Sequence, residues 1–344
     1  MTNSTAECLR LQSPAALCCA IPYLLGFQPE QSAVLLWMDG SRLILTQRVD
    51  LPPEWATAKE IQAWAAGVWQ HEGAADAESV VVVLMTSSLD ESSLLSASLT
   101  AEALTHQAEV FGTTVQELLH VAEDRWRRLL GRHGSEVSSA GGRIDPVLRR
   151  RVAAHFAAED DGPLESRVRL AASMDPAPSE VEAVEATGIL QAGSRCRGSR
   201  RERWRDVMIS GLVDWVSAVD PTADPKRSAH MLLSLRDVRV RDTFLWEIAR
   251  LAPADLHTAI ARLTVLVRSA PPGDTAPVAT CLGLTLWLTG DGARANVAAH
   301  RALLEAPHYS LAAMLDEALA RGFAPRNWAN IMRELQRETC RHGS

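Results

Sequence analysis

The sequence predicts an α/β N-terminal layer, a mixed sheet with a hairpin and flanking helices, followed by an all-helical, partly tetratricopeptide-like C-terminal domain. Three observations carry this reading. Two aliphatic and β-branched runs, 32–38 and 42–49, are separated by Asp39-Gly40, the strongest short-range hairpin signal. The run from Val80 to Met85 is continuous and β-branched, as a fully buried strand should be, and helical patterns stand on both sides of it. From Trp204 onward, strand signals give way to apolar residues at helical spacing.

Taken in order, residues 13–25 read as a helix with Ser13 as N-cap, Pro14 in the first turn and Gly26 as its stop. After the hairpin, Pro52-Pro53 breaks the chain. Ile61, Trp64, Ala65 and Val68 then recur at i, i+3, i+4 and i+7, one face of an amphipathic helix. The strand ending at Met85 leads into a helix around 91–109. In TTVQELLHV the alternation favours a strand, which sends Glu117 and His120 to opposite faces; on a helix the pair would have the spacing of a di-iron Glu-x-x-His motif. The Gly/Ser-rich stretch 131–142 and the Pro-rich stretch 174–180 read as loops. Trp204, Val207, Met208, Gly211, Leu212, Trp215, Val216 and Val219 form one apolar stripe, and 227–269 continues with helical spacing. A repeat-like register beginning at 276 places Leu282-Gly283, Leu286, Ala295, Ala302 and Pro307 at the contact positions of a helical hairpin. One copy cannot make a solenoid, so 276–322 is expected to cap a helical domain. The expected division is an α/β domain over 1–175, a linker over 176–203 holding an Arg-rich segment, and a helical domain over 204–344.

Composition narrows the function classes. The 344 residues suffice for about two domains at roughly 150 residues each. With 47% hydrophobic and 22% charged residues, disorder and small disulfide scaffolds are excluded. A net charge of −7 argues against a globally basic nucleic-acid coat. The apolar run 15–27 is short and contains Pro22, so neither a signal peptide nor a membrane association is expected. The six cysteines form no C-x-x-C pair and read as reduced thiols of a cytoplasmic protein.

Chemical signatures are sparse. Neither lysine, Lys59 or Lys226, follows a glycine, which excludes a P-loop. The string Gly290, Gly292, Ala295 has the spacing of a dinucleotide fingerprint but follows a helical run rather than a strand, so no cofactor is assigned. There is no zinc signature and no metal site is assigned. There is no G-x-S-x-G elbow, and Cys18 and Cys19 lie on an apolar helix whose burial would disfavour a thiolate, so no catalytic residue is assigned. Two groups remain. Gly26, Pro29 and Ser32 before the hairpin, with Arg48 and Asp50 at its far end, form a candidate ligand-binding or structural constellation, because Arg48 and Asp50 share a strand face. Arg195, Arg197, Arg200, Arg201, Arg203 and Arg205, opposed only by Glu202, make a local charge of +5 that could contact phosphates or an acidic partner, or could be a solvated linker.

Several segments together resemble a known family. They are Pro22-Tyr23-Leu24-Leu25-Gly26-Phe27, Pro29, Ser32, Arg48-Val49-Asp50-Leu51-Pro52, Arg125-Trp126, Arg239-Val240-Arg241-Asp242 and the helical stretch 288–325. The chain resembles the domain of unknown function 4192 family, found mainly in actinobacteria. Many members that it resembles carry a cysteine cluster after the Arg-Trp element, whereas here no cysteine occurs between Cys19 and Cys196, so no role of that cluster transfers. The resemblance implies the fold and no activity. The expectation is therefore a non-enzymatic binding or scaffold module with an unidentified protein partner. The alternatives are an enzyme with a small-molecule site at the strand ends of the α/β domain, and an accessory nucleic-acid binder acting through the Arg-rich segment.

Overall fold

The computed structural model describes residues 13–70, 77–130, 141–156, 162–192, 199–217 and 224–342. The chain divides into two compact units, Met1–Arg167 and Val168–Ser344.

The first unit contains α1 (Pro14–Leu25), β1 (Ser32–Asp39), β2 (Arg42–Asp50), α2 (Ala58–Trp69), β3 (Ser79–Met85), α3 (Glu91–Val110), β4 (Thr114–Ala122), β5 (Arg125–Leu130), β6 (Gly141–Arg143) and α4 (Pro146–Phe156). Ser13 caps α1 by accepting from the Ala16 amide at 3.2 Å, and Gly26 closes it in the left-handed region with φ of +73°. The hairpin turns at Gly40-Ser41, where Gly40 has φ of +56°, a value that glycine adopts without strain. The strands form one mixed sheet in the order β2-β1-β3-β4-β5-β6. Only β3 and β4 run parallel, and α3 is the crossover that a parallel pair requires. On one sheet face, Leu35, Trp37, Val82, Leu84 and Leu118 pack against Ile61, Ala65 and Val68 of α2 and Leu104 of α3. By alternation the buried Val34, Leu36, Val83 and Leu119 belong to the other face. Helices α1 and α4 pack together, with Tyr23 stacked on Phe156 at 4.9 Å. Glu117 and His120 do lie on a strand. Of the expected loop 131–142, residues 131–140 lie outside the described residues, and 141–142 belong to β6.

The second unit is helical throughout its described residues. It holds α5 (Arg167–Ala172), α6 (Pro178–Glu185), α7 (Ile189–Ala192), α8 (Ser199–Ser217), α9 (Pro225–Leu235), α10 (Val238–Ile248), α11 (Pro253–Arg268), α12 (Thr275–Leu288), α13 (Gly292–Glu305), α14 (Ser310–Ala320), α15 (Pro325–Glu334) and α16 (Arg337–His342). The stretch expected to link the domains therefore contains α6, α7 and the start of α8, with Pro178 opening α6 where a loop was expected to continue. The apolar stripe of α8 is turned from its expected setting. Arg205, Ile209, Leu212 and Trp215 face inward, while Val207 is 62% exposed. Val219 and the side chain of Val216 lie outside the described residues.

Helix α12 is apolar around its whole circumference, and such a helix must be enclosed. Its neighbours α11, α13 and α14 do this. Glu305 caps it from α13 by accepting from the amides of Thr275 and Ala276 at 2.9 and 3.1 Å. Gly283 marks the closest approach: a Cβ there would stand 2.7 Å from Leu315 Cδ2 and 3.3 Å from the Ala295 carbonyl oxygen. Ala295 and Ala302 are both fully buried on α13. Enlarging Ala295 to Leu is expected to cost about 1–3 kcal/mol through overpacking, read as a lower melting temperature.

Candidate functional site

The site grows from one helix start. Asp237 is the N-cap of α10, its carboxylate accepting from the amides of Arg239 and Val240 at 3.1 and 3.4 Å. Helix α8 lies beside α10, and residues four apart on it share a face. Arg201 and Arg205 thus both reach Asp237: Arg201 donates at 3.1 and 2.7 Å, and Arg205 donates from Nε and Nη2 at 3.1 Å. Arg205 also donates to Glu202 at 2.7 Å. Burial alone would raise the Asp237 pKa, but the hydrogen bonds and charges of Arg205 and Arg201 outweigh it and hold the carboxyl below its ordinary range.

Two further ion pairs extend the cluster. Arg236 clasps Asp274 at 2.5 and 2.8 Å and donates to the Leu190 carbonyl at 3.0 Å. Arg241 donates to Asp242 at 2.9 and 2.6 Å and to the Tyr309 hydroxyl at 2.5 Å, its guanidinium 5.5 Å from the centre of the Tyr309 ring. Burial and then the opposing effects of Arg241 leave the Tyr309 hydroxyl pKa raised, so it is a neutral phenol near neutral pH.

Of these groups Arg201, Arg205, Arg236, Asp237, Arg241 and Asp242 line a cavity of about 630 Å³. The rest of its lining is mainly apolar: Leu245 from α10, Leu311 and Met314 from α14, Trp328 and Met332 from α15, and Leu335 beyond it. Helices α15 and α16 are fastened over α8 and α10 through polar contacts. Trp246 donates to the Leu335 carbonyl at 2.9 Å, Arg250 to that of Met332 at 2.7 Å, and Arg337 and Arg341 pair with Glu247 and Asp206 at 2.7 and 2.5 Å. Arg239 also lines the cavity. Its guanidinium has no hydrogen-bond or ionic partner among the described residues.

The arginine cluster expected from the sequence is distributed differently from a continuous basic patch. Arg201 and Arg205 are turned onto Asp237, Arg203 is exposed, and Arg195, Arg197 and the side chain of Arg200 lie outside the described residues. The second expected group comes together in part. Arg48 donates to Ser32 Oγ at 2.8 Å and to the Glu30 carbonyl at 3.4 Å, and pairs with Asp50 at 2.6 Å. The strand register puts Ser32 opposite Asp50. Gly26 stands apart as the cap of α1, its carbonyl accepting from the Leu164 amide at 2.9 Å, and Pro29 is buried. Arg48 thus ties the turn to the end of β2. Replacing it with Ala is expected to destabilise the first unit by about 0.5–1.5 kcal/mol, visible as a lower melting temperature.

Sequence reasoning missed a buried polar group on the α3 face of the sheet. His120 Nε2 lies 2.7 Å from Thr86 Oγ1, which donates to the Ser88 carbonyl at 2.7 Å. The Thr86 proton is thereby committed, so His120 donates from Nε2, and its Nδ1 has no partner among the described residues. Burial first, and the charge of Arg127 second, lower the His120 pKa to about 4. Glu117, on the opposite face, pairs with Arg128 at 2.8 Å. Burial pushes the Cys18 and Cys281 thiols up to about 12, so neither is a thiolate at neutral pH. Among the described residues no group of three or more His, Cys, Asp or Glu could hold a metal ion, and no helix is long and apolar enough to cross a membrane. The Gly290, Gly292, Ala295 string, to which no cofactor is assigned, spans the turn between α12 and α13 and the first turn of α13, where Asp291 occupies the helix start by accepting from the Arg294 amide at 2.9 Å.

Fold and site define a class: an α/β unit with one parallel strand pair, followed by a helical unit that encloses an arginine-lined apolar cavity. The chain belongs to the family described as domain of unknown function DUF4192, whose family model matches residues 14–326. No curated protein and no solved structure matches it. The match ends at the start of α15, so Trp328, Met332 and the rest of α15–α16 lie beyond it.

Proposed function

We propose that the protein is a non-enzymatic, cytoplasmic binding module whose site is the cavity bounded by α8, α10, α14, α15 and α16. One observation carries this reading: a cavity of about 630 Å³ joins a mainly apolar lining to a few placed charges, the make-up of a small-molecule site. A protein partner would engage the same unit through the outer surface of α15–α16. The enzymatic alternative has less support, because at the strand ends His120 is neutral and hydrogen-bonded to Thr86, and Asp90 already occupies the start of α3. The nucleic-acid alternative is weakened by the commitment of Arg201 and Arg205 to Asp237.

Binding of the neutral fluorophore phenylnaphthylamine tests the proposal. The protein should enhance its fluorescence saturably. Met314, at the cavity rim and 60% exposed, is the position to fill: Met314→Trp should leave stability within about 0.5 kcal/mol and reduce the enhancement several-fold. Unchanged fluorophore binding in the filled variant would refute the site.

A further inference from the structure

The charges around the cavity identify what it would bind. Five arginines line it: Arg201, Arg205, Arg236, Arg239 and Arg241. Four of them are answered from within the unit. Asp237 serves Arg201 and Arg205, Glu202 adds a second carboxylate to Arg205, Asp274 serves Arg236 and Asp242 serves Arg241. Those five guanidinium groups meet four carboxylates, and the charge left over belongs to Arg239, the one whose side chain has no partner among the described residues.

An arginine in the first turn of α10 gains nothing from the helix itself, since cations are favoured at the other end. At this wall a charge beside apolar side chains is screened less than in open water, so an anion placed there is held more firmly than at the surface. Leu245, Met314, Trp328 and Met332 line the same cavity, and its lining holds no second uncompensated charge. Resting on the binding role proposed above, we infer that the ligand is a small monoanion with an apolar body, its carboxylate or equivalent head on the Arg239 guanidinium and its body along α14 and α15. A single spare charge fits a monoanion, and the planar donor fork of arginine suits a carboxylate. Arg239, Leu245 and Met314 lie within the region of the family match, whereas Trp328 and Met332 lie beyond it, so the head contact falls in the family region and the apolar lining comes from both sides of its boundary.

Calorimetric titration of the full chain with octanoate and with octanol, alongside phenylnaphthylamine, tests this. Octanoate should bind more tightly than octanol. Arg239→Gln should weaken octanoate about tenfold or more, the loss of one charge-assisted hydrogen bond, and leave octanol within about twofold. Arg239→Lys should retain part of the preference. Because Arg239 makes no side-chain contact that the fold needs, both variants should melt as the parent does. If octanoate binding is unchanged in Arg239→Gln while octanol and phenylnaphthylamine still bind, the inference about the ligand fails and the cavity reading stands. If none of the three binds the unaltered protein, both fall.

Discussion

Replacing Asp237 with Ala is expected to destabilise the helical unit by about 3–5 kcal/mol, the range for removing one partner of a buried ion pair. The loss has two parts. Arg205, only 9% exposed, is left with Glu202 alone, and α10 loses its N-cap. Asp237→Asn separates them, because asparagine caps as well as aspartate but carries no charge, so it should recover only about 1 kcal/mol. Urea unfolding of the full chain reads both variants. An alanine variant within about 1 kcal/mol of the parent would show that the arginines find other acceptors. Acid acts in the same direction. The folded-state pKa of Asp237 is depressed, so its stabilisation is complete above the ordinary carboxylate pKa and fades as pH falls through the lowered value.

The first unit should lose about 3 kcal/mol between pH 6.5 and pH 4 on account of His120 alone. Its folded pKa of about 4 lies below the ordinary histidine value of 6.5, so on acidification the unfolded chain takes up the proton first. Stability from this group is therefore complete above about pH 6.5, declines through the interval and levels off below about pH 4, with each pKa unit worth about 1.4 kcal/mol. Asp90 works weakly against the shift, whereas Arg127 adds to it. Other carboxylates titrate in part of the same range, so the measurement is a difference: unfolding free energies at pH 4.5 and 7 for the parent and for His120→Gln. The variant should show a pH dependence flatter by about 2.5 kcal/mol. Equal slopes would mean that the imidazole is solvated.

What was legible in the sequence was local. Ser13, Gly26 and the Asp39-Gly40 turn act within a few residues, and each stands where its type predicts. The turn set the register only as far as Met38 opposite Leu43; a bulge between Trp37 and Met38 then shifts the pairing by one residue, and that unforeseen shift brings Ser32 opposite Asp50 and onto the face of Arg48. The alternation around 114–122 correctly parted Glu117 from His120. Pairing across longer separations was not legible. Asp237 has the position of an N-cap, but its arginines come from 32 and 36 residues away, and nothing in the spacing couples them. The same separation explains the rotated face of α8. A stripe of apolar residues excludes arginine by type, yet Arg205 turns inward because a carboxylate waits there. His120 escaped for a similar reason, since Thr86 reaches it only across the parallel β3–β4 pair.

The enclosure of α12 also sets the order in which the helical unit opens. Amide protons of α12 can reach water only when α11, α13 and α14 have moved, so their exchange with solvent follows opening of the whole unit. Helices α15 and α16 bury almost nothing of their own beyond Met332 and are fastened by side-chain bonds to a few carbonyls and carboxylates. Their amides should exchange first, and the helices that bring Trp328 and Met332 to the cavity are thus the least protected part of the unit, able to part and reclose while α12 stays shut.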